Sequence, residues 1–332
     1  MTSQLTAFLA RRWCVPESSL DIEVQPLYGG LESAVTRARI SPSQVASGVP
    51  RDLVVKQLSV AFAREGDVYD ALWRHLERPP AVQMFGRDVC GEATYLYLEH
   101  VASFSPWPWS DTELSASVCR ELAQLHDAPT LSGEVFSWNY EQELIRSAEN
   151  TLGLAATAGN FLGRPVWRRL GDLRRVVRAL PRIRRRLLSE GATVIHGDMH
   201  PGNVILRRSE ETVDVVLIDW ARARIGSPLE DIASWLHSLG CWEPQARRRH
   251  DSLMRAYLEA RRAPRIFAGQ LRVDYWLASV SNGLSGAIRY HLAVLADAAA
   301  TPAAHANSGV ALIAWERVVR QAAALLNTNL DR

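Results

Sequence analysis

The stretch His196–Trp220, which reads HGDMHPGNVILRRSEETVDVVLIDW, constrains the fold more than any other part of the chain. Two short β-branched runs, Thr193–His196 and Val213–Ile218, bracket a polar loop and read as a hairpin. Each run leads to an acid: Asp198 in the loop after the first run, Asp219 at the end of the second. Asn203 stands five residues after Asp198. Asp, Gly, Pro and Asn all favour turns, so an ordinary turn accounts for the loop residues taken alone. It leaves the companion strand and its terminal Asp219-Trp220 unexplained.

Of the 38 basic residues, all but Lys56 are arginine, and Lys56 lies in the apolar run Leu53–Leu58. A composition that uses Arg everywhere else implies that this position needs a compact ammonium rather than a planar guanidinium fork. A strand-borne lysine that reaches nucleotide phosphates is such a position. The competing explanation is an arginine-rich genome that kept one lysine by accident.

At 332 residues the chain can bury a large core, and its length favours about two domains over one. A formal charge of +2 argues for neither a nucleic-acid nor a membrane partner. Ten arginines do cluster between Arg164 and Arg186, on a segment where Leu170, Leu173, Val177, Leu180, Ile183 and Leu187 recur at helical spacing. From Leu170 onward no aromatic residue interleaves them and no RNA motif accompanies them, so a solvated helix face outweighs nucleic-acid binding. Cys14, Cys90, Cys119 and Cys241 form no CxxC pair and read as thiols of a reducing compartment. The patch Ala7–Ala10 is too short for a signal peptide, and no run of eighteen apolar residues suggests a membrane span. These features point to a cytoplasmic protein.

The first hundred residues are strand-rich, with runs at Ile22–Leu27, Ala34–Ile40, Leu53–Leu58 and Ala93–Glu99 and one helix at about Ala63–Leu76. Ser103–Trp109 is rich in Pro and Trp and reads as irregular. Beyond it the chain is helical apart from the hairpin, with helices at Asp111–His126, Gln245–Arg261, Val273–Val294 and Ser308–Leu326.

Taken together, VVKQL, REGDVYDAL, YLYLEHV and HGDMHPGN followed by LIDW resemble the aminoglycoside phosphotransferase and choline kinase superfamily. The resemblance implies an α+β, bilobal protein-kinase-like fold. Residues 1–101 would form an N-terminal nucleotide-binding lobe, a small antiparallel sheet with one helix. Residues 102–332 would form a larger, mostly helical C-terminal lobe with the catalytic loop and the acceptor site. The carboxy-terminal helices carry no recognisable motif.

The same resemblance assigns roles. Asp198 would orient the acceptor hydroxyl and receive its proton, a task in which a loose phosphoryl-transfer transition state asks more for position than for basicity. Asn203 and Asp219 would supply oxygen ligands to Mg²⁺, a hard cation that bridges nucleotide phosphates. Lys56 would contact the phosphates of ATP or another nucleoside triphosphate, with Glu65 holding its ammonium and Glu77 as the alternative partner. Gly29 and Gly30 take the place of a glycine-rich flap, although GxGxxG is absent and a plain hairpin turn explains them equally well. Ser33 offers a hydroxyl or amide beside them. Backbone groups of the segment Glu99 to Val101 would meet the adenine edge. Asp231 resembles the family's structural acid that props the catalytic loop, and it also suits a helix N-terminus. His196 would shape the loop, and His200 is given no role.

Two rivals stand against this reading. His196-Gly197-Asp198 is also an HxD pair, which with His250 or His291 would make an iron site of the 2-His-1-carboxylate type, as in non-haem iron oxygenases. A nucleotide-binding pseudokinase is the other, although the lysine, the loop acid and the metal acid are all present. No DFG or APE segment accompanies the motifs, which favours a small-molecule acceptor over a protein. The sequence thus indicates a kinase acting on a small-molecule hydroxyl, first an antibiotic such as an aminoglycoside, macrolide or peptide antibiotic, with choline, sugar or amino-alcohol acceptors as the alternative. For a cationic acceptor, Glu134, Glu141, Glu230 and Asp231 are candidate counter-charges. Trp235, Trp242 and Trp276 would line the acceptor pocket, or pack the core.

Overall fold

The computed structural model describes residues 2–27, 33–41, 48–102, 108–128, 133–161, 164–208, 212–262 and 267–329. In chain order its first elements are α1 (Thr2–Trp13), β1 (Ile22–Leu27), β2 (Ser33–Ile40), β3 (Asp52–Ser59), α2 (Glu65–His75), β4 (Met84–Cys90) and β5 (Ala93–Glu99). There follow α3 (Thr112–His126), α4 (Tyr140–Thr157), the two-residue strands β6 (Asn160–Phe161) and β7 (Arg164–Pro165), and α5 (Leu170–Ser189). The hairpin region comprises β8 (Thr193–Ile195), β9 (Val204–Arg208), β10 (Val213–Leu217) and β11 (Arg224–Gly226). The chain ends in α6 (Pro228–Trp242), α7 (His250–Ala260), α8 (Gly269–Asn282), α9 (Ile288–Ala296) and α10 (Pro302–Asn329). This is an α+β protein with a small antiparallel sheet and a larger helical region. Two compact units make it up: Met1–Phe104 with Ile205–Arg222, and Ser105–Val204 with Ala223–Arg332. The segment Ile205–Arg222, with Asp219, thus belongs with the amino-terminal residues.

In the first unit the sheet runs in the order β1-β2-β3-β5-β4. Strand alternation sends Leu53 and Val55 of β3 to one face, where they are buried with Leu5, Phe8 and Leu9 of α1. Phe8 stacks on Tyr97 at 3.7 Å between centroids. Lys56, opposite Val35 on one side and Leu96 on the other, turns to the opposite face. There α2 approaches so closely that a Cβ on Gly66 would lie 2.9 Å from Arg87 Nη1 and 3.1 Å from Leu96 Cδ2, so glycine permits the contact. The β9–β10 pair is fastened by Leu217, whose N–H donates to the Pro80 carbonyl at 2.8 Å.

Neither α1 nor β4 is expected from the sequence. The buried residues of α1 are Leu5, Phe8 and Leu9, a single stripe in a 12-residue helix. β4 is an edge strand with a register shift between Met84 and Gly86 and exposed side chains, so alternation is absent.

In the second unit β8 pairs antiparallel with β11, and helices surround the pair. Trp109 and Trp235 meet edge to face at 5.1 Å in its core. The expected single helix Val273–Val294 is broken: a π-helical turn at Gly283–Ala287 separates α8 from α9, and Gly286 leaves helical geometry there. A Cβ on Gly283 would sit 2.7 Å from the Trp315 ring, so close packing of α10 requires the glycine. The expected helix Gln245–Arg261 begins instead as a 3-10 segment, Pro244–Arg249, before α7. No helix among the described residues is long and apolar enough to cross a membrane.

Two histidines of the second unit are stored neutral. Burial, aided by the charges of His250 and Arg247, pushes His237 down to about 3, and burial pushes His291 down to about 4. The unfolded chain takes up these protons near the ordinary 6.5, before the folded chain does. Their contribution to stability is therefore complete above pH 6.5 and is lost as the pH falls toward 4, by about 1.4 kcal/mol per pH unit for each histidine. Urea unfolding at pH 7.5, 6 and 5 should show this decline, and His237→Gln should remove about half of the slope these two residues contribute. An unchanged midpoint from pH 7.5 to 5 would contradict it.

Candidate active site

In the first unit, three elements bring charge together. β3 presents Lys56, α2 opens on Glu65, and the turn after β10 carries Asp219. The Lys56 ammonium donates to both Glu65 carboxylate oxygens, at 2.9 and 2.7 Å, and to Asp219 Oδ1 at 2.9 Å. Lys56 and Glu65 are buried, whereas the Asp219 side chain is 35 % exposed. Burial pushes the Glu65 carboxyl up to about 7 against the pull of Lys56. The same burial would lower Lys56, but Glu65 and Asp219 outweigh it and raise the ammonium above its ordinary value. Lys56 therefore stays charged. Glu77 lies beyond α2 and is exposed.

Asp219 has a left-handed backbone (φ 66°), a conformation that a non-glycine residue holds only when its surroundings enforce it. Trp220 does so. It is fully buried, its N–H donates to Glu65 Oε1 at 3.2 Å, and its indole Nε1–H donates to the Leu217 carbonyl at 3.0 Å. Arg64 donates to the Ala221 carbonyl at 2.8 Å. One carboxylate, Glu65, thus fixes both the lysine and the turn that aims Asp219.

In the second unit, the loop after β8 is braced by α6. Asp231, fully buried in the first turn of α6, accepts the His196 N–H at 2.7 Å and the Gly197 N–H at 2.8 Å. Gly197 is left-handed at φ 82°, which explains the glycine of HGD. Ser234, one turn on, donates to the Met199 carbonyl at 2.6 Å. Behind Asp231, His126 Nε2 stands 3.2 Å from its Oδ2, and His126 Nδ1 stands 2.9 Å from the Tyr257 hydroxyl. Burial holds His126 below its usual range, hence neutral; burial would raise Asp231, but hydrogen bonds from His126 and the loop hold it low and ionised.

Asp198 itself is half-buried, and among the described residues its carboxylate makes no hydrogen bond or ion pair. Asn203 Nδ2–H donates to the Asp198 carbonyl at 2.9 Å, which turns its amide oxygen away from that carbonyl. His196, wholly buried, accepts the Asp198 N–H on Nδ1 at 3.3 Å.

Asn203 and Asp219 suit Mg²⁺ in chemistry: each offers a hard oxygen, and the amide oxygen of Asn203 is left over by its own hydrogen bond. Among the described residues no three His, Cys, Asp or Glu side chains gather to hold a metal ion. The iron reading also loses its distal histidines, since His250 Nε2 is 2.6 Å from the Tyr275 hydroxyl and His291 Nδ1 is 3.2 Å from Ser308 Oγ.

The remaining candidates divide. Gly29 and Gly30 lie outside the described residues. Ser33 is half-buried and opens β2 opposite Leu58. Glu99 closes β5, opposite Leu53 of β3; its N–H goes to the Gln83 carbonyl at 2.8 Å and its carboxylate accepts from Arg207 at 2.6 Å. Val101, just beyond, is half-buried. Glu230 and Asp231 are not counter-charges for an acceptor: Glu230 is buried against Arg184 at 3.1 Å, and Asp231 holds the loop. Trp235 is core, whereas Trp242 is 54 % exposed. Sequence reasoning missed His126, Ser234 and the anchoring by Trp220. A histidine on the apolar side of α3, beside Leu122 and Leu125, was the one available signal for the first.

An ammonium clasped by two acids in one unit, and an open loop acid with an amide five residues on in the other, define a protein-kinase-like phosphotransferase. The comparisons agree. A family model for the phosphotransferase enzyme family matches residues 44–267, and the chain belongs to that family as a small-molecule kinase. No curated protein sequence is significantly similar. The structure is similar to choline kinase from Cryptosporidium parvum Iowa II, at 12 % identity with all of both chains covered and a TM-score of 0.65. It is also similar to a microcompartment-associated aminopropanol kinase (13 %, 99 % and 98 % covered, 0.57). A third is spectinomycin phosphotransferase in complex with ADP and spectinomycin (13 %, 96 % and 97 % covered, 0.55). At these identities the likeness is one of fold.

Lys56→Arg keeps the charge but puts a planar fork where three carboxylate oxygens converge, and turnover should fall on the order of 10²-fold. Steady-state kinetics checks this; parental rates would remove the argument from the solitary lysine. Asp231→Asn places an amide donor against backbone donors and should lower stability by about 3 kcal/mol, measured by denaturant unfolding.

Proposed function

We propose that this kinase moves the γ-phosphate of ATP to a hydroxyl of a small-molecule antibiotic. The observation that carries phosphoryl transfer is that the chain holds a buried Lys56–Glu65–Asp219 cluster in one unit and, in the other, a braced loop whose Asp198 carboxylate makes no hydrogen bond or ion pair among the described residues. The acceptor oxygen attacks the γ-phosphorus, its proton passes to Asp198, the bond to the β-phosphate oxygen breaks, and ADP leaves. Lys56 neutralises phosphate charge at a position fixed by Glu65. Mg²⁺, held by Asn203 and Asp219, would neutralise the triphosphate charge that otherwise repels both acids. The backbone of the segment from Glu99 to Val101 would receive the adenine edge, and Ser33 would contact the phosphates.

An antibiotic is the acceptor class the arginine-heavy composition supports, as that of a GC-rich bacterium. Use of ATP fits an enzyme of the cytoplasm, with a small molecule as its partner.

An ATP-consumption screen over aminoglycosides, macrolides, peptide antibiotics, sugars, choline and amino alcohols should give turnover with an antibiotic. Turnover with choline or an amino alcohol alone would overturn the acceptor class. Asp198→Ala should abolish turnover and leave ATP affinity within about threefold, because the residue acts on the acceptor proton; undiminished turnover would refute its role.

A further inference from the structure

The loop that carries Asp198 holds one more polar group, two residues on, for which bracing alone gives no reason. His200 has extended backbone (φ −155°, ψ 164°) and caps the 3-10 turn Pro201–Asn203. Its ring is held on two sides. Nδ1 accepts the Gly202 N–H at 3.0 Å, and the ring lies nearly parallel to Trp242, at 21° and 6.4 Å between centroids. The approach to the main chain is so close that a Cβ on Gly202 would stand 2.9 Å from His200 Cε1, 3.0 Å from Nδ1 and 3.9 Å from Trp242 Cη2. Glycine at 202 is therefore a requirement of the ring position, not only of the turn.

A neutral imidazole carries a single N–H, and these contacts decide which nitrogen can hold it. A backbone N–H can only donate, so Nδ1 is the bare nitrogen and Nε2 carries the hydrogen. Among the described residues Nε2 has no hydrogen bond or ion pair, and the ring is only half-buried. α6 meets the loop in order: Asp231 at His196 and Gly197, Ser234 at Met199, Trp242 at His200. The first two contacts end on satisfied backbone atoms, and the third ends on a ring whose far nitrogen points a donor outward. A short Asn, Asp or Ser caps a turn at least as well as histidine, so capping explains Nδ1 and leaves Nε2 and the stacked Trp242 unexplained.

We propose that His200 contacts substrate, its ring locked by Gly202 and Trp242 so that Nε2–H is a fixed hydrogen-bond donor to a substrate oxygen beside Asp198. The oxygen belongs either to the phosphoryl group in transfer or to the acceptor alcohol; the chemistry, a lone-pair oxygen meeting a preoriented N–H, is the same. The inference rests on the phosphotransferase reading. A donor already aimed in the free enzyme has no reorganisation to undergo when charge develops on that oxygen.

Asn and Gln divide the two nitrogens between them. His200→Asn can keep the acceptor for Gly202 N–H but removes the outward donor, and His200→Gln can supply the outward donor but not the acceptor. Full-length enzyme is assayed for Mg·ATP hydrolysis without acceptor and for transfer to the acceptor that the screen identifies. His200→Asn should lose at least about 10-fold in rate and His200→Gln no more than about threefold. Trp242→Leu, which frees the ring without removing the donor, should lose about threefold to 10-fold in the same rate. Loss in both assays with an unchanged acceptor KM assigns the donor to the phosphoryl oxygens. Loss in transfer alone, with a raised acceptor KM, assigns it to the acceptor. The proposal is overturned if Asn equals the parent, if Gln falls as far as Asn, or if Trp242→Leu changes nothing. A parent enzyme that neither hydrolyses ATP nor transfers from it refutes the phosphotransferase reading instead.

Discussion

A buried carboxylate in the first turn of a helix, accepting backbone N–H groups from a loop that displays a second, accessible acid, is the interaction on which both units rest. In one, Glu65 at the start of α2 takes the Trp220 N–H and steadies Asp219. In the other, Asp231 near the start of α6 takes the His196 and Gly197 N–H groups and steadies Asp198. Both loops contain a left-handed residue, Asp219 and Gly197, that would relax without such a partner. Helix N-termini are where a buried acid is least costly, because the macrodipole and the unpaired N–H groups of the first turn face it.

Burying those acids still needs compensation, and the two units supply it differently. Glu65 meets a full positive charge, Lys56, and remains pushed up to about 7 because burial is the larger effect. Asp231 is met by the His196 and Gly197 N–H groups and by the His126 ring, and is held low against its burial. Glu65 also faces the Asp219 carboxylate, which pushes it the same way as burial, whereas the groups around Asp231 all favour its ionised form. The second unit has a further buried acid, Glu230, which the S-P-L-E capping box of α6 places beside Arg184 and Arg224. Arg224 also lies 3.6 Å over the Tyr140 ring, so its charge is neutralised on one face and stacked on the other.

Much of this was legible in the residues. The strands Ile22–Leu27 and Ala93–Glu99 fall where alternation places them and Asp219 follows its β-branched run, but the two runs expected as a hairpin do not pair: β8 lies against β11 and β10 against β9. Glu65 as the partner of Lys56 came from the family resemblance, which left Glu77 open; the structure pairs Lys56 with Glu65. What stayed hidden depends on contacts remote in sequence or on absent atoms. Gly66 and Gly202 matter because side chains elsewhere occupy the space a Cβ would need. β4 carries no alternation because an edge strand buries little, and α1 shows a three-residue stripe that composition reads as a mere apolar patch. The break at Gly283–Ala287 falls at Gly286, and Gly283 beside it makes room for the Trp315 ring, a contact remote in sequence that no local periodicity encodes.

The distribution of basic residues is explained by the same geometry. Arg184 reaches both Glu230 oxygens at 3.1 to 3.2 Å, and Arg224 stacks on Tyr140, tasks that suit a flat fork with several donors. At position 56 the acceptors are arranged otherwise. Two oxygens of Glu65 and one of Asp219 lie within 2.9 Å of a single nitrogen, from two directions, inside a space that leaves the residue 6 % exposed. An ammonium with three donors on one atom satisfies all of them, whereas a guanidinium spreads its donors over a plane and needs more room than the buried site has. A chain that otherwise uses only arginine would keep its one lysine at such a point, where charge must converge on an atom and not on a face.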